Sequence, residues 1–212
     1  MSKKHIIYTD GSCDNNGDWA GSWAWVEIDQ NMTVTPIEDL SKHIIKKRSG
    51  YAYDTTNNRM EMMAIINAIT QGGYPIGSSI KIFSDSGYVV NGHNNPSYLK
   101  KWMQNGWKTS KRLAVENKDL WEHIILIDSL YDVQYVLVKG HSKDKTSVHK
   151  NWNDLCDKIC THVRQYVQYR LHNDLLGTPM ICTPDCKHRD QMSNQDGMCY
   201  NCPAILCGEV QQ

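Results

Sequence analysis

The sequence predicts an α/β domain of full size followed by a short cysteine-rich tail. Short apolar runs rich in Ile, Val and aromatic residues recur five times in the first 140 residues, with the length and composition of strands. Longer segments, at 60–69, 120–130 and 152–167, carry apolar residues at helical spacing. Five of the eight cysteines crowd between residues 182 and 207, a composition break that places a boundary near residue 170. The expected division is therefore 1–170 and 171–212.

A chain of 212 residues holds one domain with a full core and a small appendage. Its 23 basic and 23 acidic residues cancel, so any nucleic-acid binding must rest on local patches. No run approaches the ~18 apolar residues of a membrane span. Met1-Ser2-Lys3-Lys4 leads straight into a strand without a signal-peptide hydrophobic region, and the expectation is an intracellular, cytoplasmic monomer.

The first strand is Ile6-Ile7-Tyr8, uncharged and suited to burial on both faces; Asp10 ends it at a turn containing Gly11, Asn15, Asn16 and Gly17. Ser22 to Asp29 alternates large apolar with smaller or polar residues, as a half-buried antiparallel strand does. His43 to Arg48 reads as a third strand, stopped by Gly50. A helix opens after Thr55-Thr56 and ends at Gly72-Gly73; its Met-rich face is core packing. Ser79 to Ser84 is a strand that again ends on an acid, Asp85. A short helix over 87–92, a basic segment over 100–112 and an amphipathic helix over 120–130 follow. Val133 to Val138 is the fifth strand. A last helix carries the stripe Trp152, Leu155, Ile159, Val163 and Val167.

Four acid-bearing motifs stand out in this order: Asp10 after the first strand, Asn57-Asn58-Arg59-Met60-Glu61 on the first helix, Asp85 after the later strand, and Asn153-Asp154-Leu155-Cys156-Asp157 on the last helix. Together they resemble type 1 ribonuclease H over roughly residues 5 to 165. The resemblance implies a mixed five-stranded sheet flanked by helices. It also implies that Asp10, Glu61, Asp85 and Asp157 are the catalytic acids and metal ligands. Asp154, three residues earlier on the same helix, is the rival for the fourth place; the family pattern sets the acid directly after Cys156 and so selects Asp157. Four carboxylates brought together repel one another unless hard cations lie between them. Oxygen-only ligation suits Mg²⁺, with Mn²⁺ able to substitute. Two such ions ~4 Å apart form a clamp for in-line phosphodiester cleavage, one activating water and one stabilising the leaving 3′ oxygen.

His141 follows Lys139-Gly140, as in the family's Lys-Gly-His motif, and the resemblance makes it a proton shuttle or an aid to product release; otherwise it is a solvated loop histidine. Residues 142–151 are expected to be flexible. Lys100, Lys101, Lys108, Lys111 and Arg112, with Trp102 and Trp107, resemble the basic protrusion that grips the DNA strand of a hybrid. There the cations bind phosphates while the tryptophans also pack a helical corner. Cys13, Asn16 and Asn58 match the family's RNA-strand contacts, which read the 2′-hydroxyl. Thr56 and Asn57 match its pocket for a DNA phosphate. Gly87 departs from the bacterial pattern, which carries Gln there, so one side-chain contact to RNA is lost.

Cys182-x₃-Cys186 and Cys199-x₂-Cys202 have the paired spacing of a structural Zn²⁺ site, with His188 and Cys207 as alternative ligands. The bland alternative is a tail of reduced thiols. Such a module has room to dock a protein or nucleic acid.

The resemblance thus implies a metal-dependent endonuclease that cuts the RNA strand of RNA·DNA hybrids to 5′-phosphate and 3′-hydroxyl ends. A hybrid-binding module without catalysis is the alternative, disfavoured because all four acids are present. A proofreading exonuclease on the same fold would need Asp-x-Glu in the first strand, where Asp10 is followed by Gly11-Ser12.

Overall fold

A computed structural model describes residues 4–14, 20–30, 40–140 and 147–172. Asn16, His141 and the cysteines Cys182, Cys186, Cys199 and Cys202 lie outside them. Strands β1 (Lys4–Cys13), β2 (Gly21–Ile28), β3 (Ile44–Ala52), β4 (Ser79–Ser84) and β5 (Asp132–Leu137) form one sheet in the order β3-β2-β1-β4-β5. β2 runs antiparallel to β1 and β3, whereas β1, β4 and β5 are parallel, which makes the sheet mixed. The helices among the described residues are α1 (Asn57–Gly72), α2 (Gly87–His93), α3 (Pro96–Gln104), α4 (Lys118–Leu130) and α5 (Val148–His172). None is long and apolar enough to cross a membrane.

Two cores sandwich the sheet. Ile7, Trp23, Trp25, Ile80 and Ile82 pack against residues of α1 to α4 on one face. Ile6, Tyr8, Ala24, Val26 and Phe83 pack on the other against Trp152, Cys156, Ile159, Cys160, Val163 and Val167 of α5. β1 is central and buried on both faces because its uncharged residues satisfy both layers.

Three strand expectations need correction. Asp10 does not end β1, which stays paired with β2 as far as Cys13; only its pairing with β4 stops before the acid, at Tyr8. β2 is not half-buried: every residue of it is covered. The large-small alternation sorts Trp23 and Trp25 to the α1 side and Ala24 and Val26 to the closer-packed α5 side. Gly50 does not stop β3, which continues to Ala52. It lies opposite Trp23, and a Cβ there would run into the indole, so the glycine makes room for a core tryptophan. Of the segment 142–151, the described residues from Val148 onward form the start of α5. His149 anchors that first turn by stacking on Phe83 at 4.6 Å and sharing a 2.6 Å hydrogen bond with the Tyr8 hydroxyl. At its far end α5 continues to His172, so the expected boundary falls in its last turn.

The helix ends follow their local chemistry. Thr56 caps α1, its Oγ1 accepting the Arg59 N–H at 3.3 Å, and Gly73 ends the helix with φ 69°. Arg59 then makes a two-pronged ion pair with Asp119 at 3.0 and 2.6 Å, tying α1 to α4.

Gly50→Ala is expected to cost ~1–3 kcal/mol through overpacking against Trp23. Urea unfolding measures the loss; an unchanged midpoint would contradict this account of the glycine.

Candidate metal centre and nucleic-acid groove

Parallel pairing sets Tyr8 of β1 opposite Phe83 of β4, and their rings stack at 4.8 Å. Asp10 and Asp85 each come two residues later, so the two strands deliver both acids to the same end of the sheet. Glu61 arrives from α1, which crosses β1 at Gly11: a Cβ there would fall on the backbone of Met60 and Glu61. One carboxylate oxygen each from Asp10, Glu61 and Asp85 lies within 4.8 Å of the others. Asp10 is 6% and Glu61 5% exposed.

These acids floor an open groove of about 460 Å³, whose walls include Asn57 and Asn58 from α1, Ser86 and Gly87, and Asn153, Asp154 and Asp157 from α5. Asp157 presses its charge on Asp10. Asp154 lines the same groove but is ion-paired to Lys150 one turn back. Asp85 accepts a 3.1 Å hydrogen bond from Asn153 Nδ2, and Gly140 packs so close that a Cβ would strike Asp85 Oδ2. Two thiols fasten α5 to β1: Cys156 donates to the Tyr8 carbonyl at 3.4 Å and Cys160 to the Asp10 carbonyl at 3.2 Å. Burial, and then the nearby acids, push both thiols well above the usual range, so they remain S–H donors.

Burial is also the main force on the acids. It raises the Asp10 carboxyl well above the usual range, Asp85 and Asp157 add repulsion, and the Gly11 N–H and the Cys160 thiol oppose. Glu61 is raised by burial and by the charges of Asp10 and Asp85, against the Gly11 N–H. Glu61 Oε2 is buried without a hydrogen-bond partner among the described residues. An orphaned carboxylate oxygen within an all-oxygen, mutually repelling set fits a hard divalent cation.

The Cys13 N–H donates to Asn57 Oδ1 at 3.2 Å, joining the end of β1 to the start of α1 at the groove. Asn58 is half-buried and Thr56 is exposed. Lys100, Lys101, Lys108, Lys111 and Arg112 are exposed, while Trp102 and Trp107 pack against the core and hold the corner. Trp102 meets Trp121 edge-on at 6.0 Å. Around Gly87 the space is open, with Asn91 Nδ2 3.4 Å from where a Cβ would stand. Sequence reasoning assigned no role to Asn153, Gly140 or Cys160. Asn153 and Gly140 already stood in the Asn-x-x-Cys-Asp and Lys-Gly-His motifs; the packing role of Cys160 leaves no trace in local pattern.

Carboxylates gathered at one end of two parallel strands, with helices on both sides, suit a hydrolase that acts on phosphodiesters through hard divalent cations. The model of the RNase H family matches residues 2–165, and the chain belongs to that family. A ribonuclease H of Acetivibrio thermocellus is 38% identical over 160 residues, spanning 75% of this chain and 93% of that protein. Among solved structures, LC9-RNase H1, a type 1 RNase H with the type 2 active-site motif, superposes with a TM-score of 0.60 at 22% identity, over 78% of this chain and 74% of its own. A foamy viral protease-reverse transcriptase in complex with an RNA/DNA hybrid superposes with a TM-score of 0.55 at 22% identity, over 74% of this chain and 19% of its own. The protein is accordingly a hydrolase of the endoribonuclease type.

A carboxyl whose folded value is raised adds stability below its unfolded value, about 3.9 for Asp, and loses it as pH rises through the folded value. Asp10→Asn is therefore expected to raise the melting midpoint of the metal-free protein at pH 7 by about 2–4 °C, the shift of ~1 kcal/mol for this size. The gain should vanish near pH 4. Calorimetry in a chelator measures both, and a midpoint at or below wild type at pH 7 would contradict the repulsion.

Proposed function

We propose that the protein cuts the RNA strand of RNA·DNA hybrids, leaving 5′-phosphate and 3′-hydroxyl ends, with Asp10, Glu61, Asp85 and Asp157 holding two Mg²⁺ ions. The carrying observation is the cluster of Asp10, Glu61 and Asp85 within 4.8 Å, with the Glu61 oxygen left unpartnered. The charge of Asp157 on Asp10 and the engagement of Asp154 by Lys150 favour Asp157 as the fourth ligand. When bound, the ions supply an activated water and stabilisation of the leaving 3′ oxygen.

The chain's own groups do the positioning. Asn153 orients Asp85, and the Gly11 N–H holds the Glu61 carboxylate. Cys13 and Asn58, with Asn16, read the RNA strand, whose 2′-hydroxyl both donates and accepts. Thr56 and Asn57 take a DNA phosphate. The exposed cations of 100–112 bind the DNA backbone, and His141 moves a proton or eases product release. The hybrid carried by the foamy viral structure supports this choice of substrate. For the Cys-rich tail the reading is one structural Zn²⁺ held through Cys182, Cys186, Cys199 and Cys202, by their paired spacing.

A uniformly labelled hybrid, incubated with Mg²⁺, should lose only its RNA strand, and chelation should stop the reaction. Asp10→Asn and Glu61→Gln should each lower kcat by roughly 10²–10³-fold, several kcal/mol at the barrier. Hybrid binding without cleavage would overturn the assignment.

A further inference from the structure

β3 is an edge strand with unusual side chains for its place. It carries Lys46, Lys47 and Arg48 in succession, then Tyr51, with Tyr53 just beyond its end. Lys46 is engaged by the Gly72 carbonyl and Glu27. Lys47 and Arg48 are exposed and have no carboxylate partner among the described residues. Tyr51 and Tyr53 are 37% and 41% exposed, and their rings meet edge-to-face at 5.5 Å. Asp54 is the one acid between Ile44 and Thr56.

The direction of β3 matters as much as its composition. It runs parallel to β1 with β2 between, Cys13 facing Gly21 and Gly21 facing Ala52. The tyrosines therefore lie at the same end of the sheet as the acids, two strand spacings from β1, or about 10 Å. The chain passes from Tyr53 through Thr55 to Thr56, Asn57 and Asn58, the last two walling the groove. Lys47 and Tyr51 lie opposite Val26 and Ser22 and so share the α5 face, whereas Arg48, opposite Trp25, stands on the α1 face. Exposed rings with a cation on the same face suit single-stranded nucleic acid: bases stack on the rings while phosphates meet the cation. Bases within a duplex have no free face to offer.

We propose that Tyr51 and Tyr53, with Lys47, form a docking path for the single-stranded continuation of a hybrid lying in the catalytic groove. The enzyme then favours junctions, where hybrid gives way to a single strand, over uniform hybrid. The proposal rests on the groove being a hybrid site, as argued above. RNA and DNA overhangs share the stacking chemistry, and the test separates them.

The test measures fluorescence anisotropy of the full chain carrying Asp10→Asn, in Mg²⁺, with a blunt 12-base-pair hybrid and with the same hybrid bearing a six-nucleotide RNA or DNA overhang. One overhang should tighten binding about five- to tenfold, as one or two stacked bases would. Y51A/Y53A should reduce that gain to within twofold while leaving blunt-hybrid affinity unchanged, and Y51F/Y53F should keep it. Lys47→Gln should flatten the salt dependence of overhang binding alone, and Arg48→Gln, on the opposite face, should not. If neither overhang improves binding, or Y51A/Y53A keeps the gain, the proposal fails. A dimer in sedimentation that Y51A/Y53A dissolves would assign the edge to a second copy and also overturn it. Cleavage of the blunt hybrid by the wild-type chain is run alongside, so that failure of the hybrid reading is seen separately.

Discussion

Asp10 and Glu61 are buried almost completely; the charge of Asp85 bears on both, and that of Asp10 bears on Glu61. A cluster of this kind opposes folding when its members are ionised, because burial and like charge both favour the protonated form. Much of the surrounding structure keeps the acids together against that tendency. Parallel pairing of β1 with β4 holds Asp10 and Asp85 level, and the missing side chain of Gly11 lets α1 come close enough to present Glu61. On the other face, α5 is pinned by two thiols and by the His149 contact, which fixes where Asn153 and Asp157 stand. Cation binding resolves the conflict by replacing repulsion with shared attraction.

Asp10, Asp85 and Glu61 were legible because each follows a strong local signal, an apolar run or a helix start. Asp157, by contrast, lies in the middle of α5 and was found through its motif. An apolar run that stops on Asp, or a helix start marked by Thr56 and a stop marked by Gly73, can be read within a window of a few residues. The double burial of β2 was not legible, since alternating large and small side chains look half-exposed until both layers are known. Gly50 misled for a related reason. A glycine that ends a strand and one that admits a tryptophan from the neighbouring strand are the same letter, and only the register separates them. Gly140 and Cys160 act across more than fifty residues of chain, on Asp85 and Asp10 respectively; the Lys-Gly-His motif marks the glycine without showing what it packs against, and nothing beside Cys160 announces its contact.

The groove divides its labour by position. Acids at the floor suit the reacting phosphate, amides and a backbone N–H at the α1 wall suit sugar and phosphate contacts, and cations stand out on α3 and the segment that follows it. The tryptophans of that segment serve it by packing, and so keep its cations in place without needing to touch nucleic acid themselves. A protein with zero net charge can thus hold a polyanion, provided that its basic residues are grouped and its acids are concentrated where cations neutralise them.

The most direct test of the central claim follows the carboxyl carbons of Asp10 and Glu61 by ¹³C NMR as pH is varied, with and without Mg²⁺. Without the ion, both should titrate above the ordinary carboxylate range; with it, both should move down together. Ordinary titration of both residues without the ion, unchanged on adding it, would show that the acids neither repel one another nor share a cation.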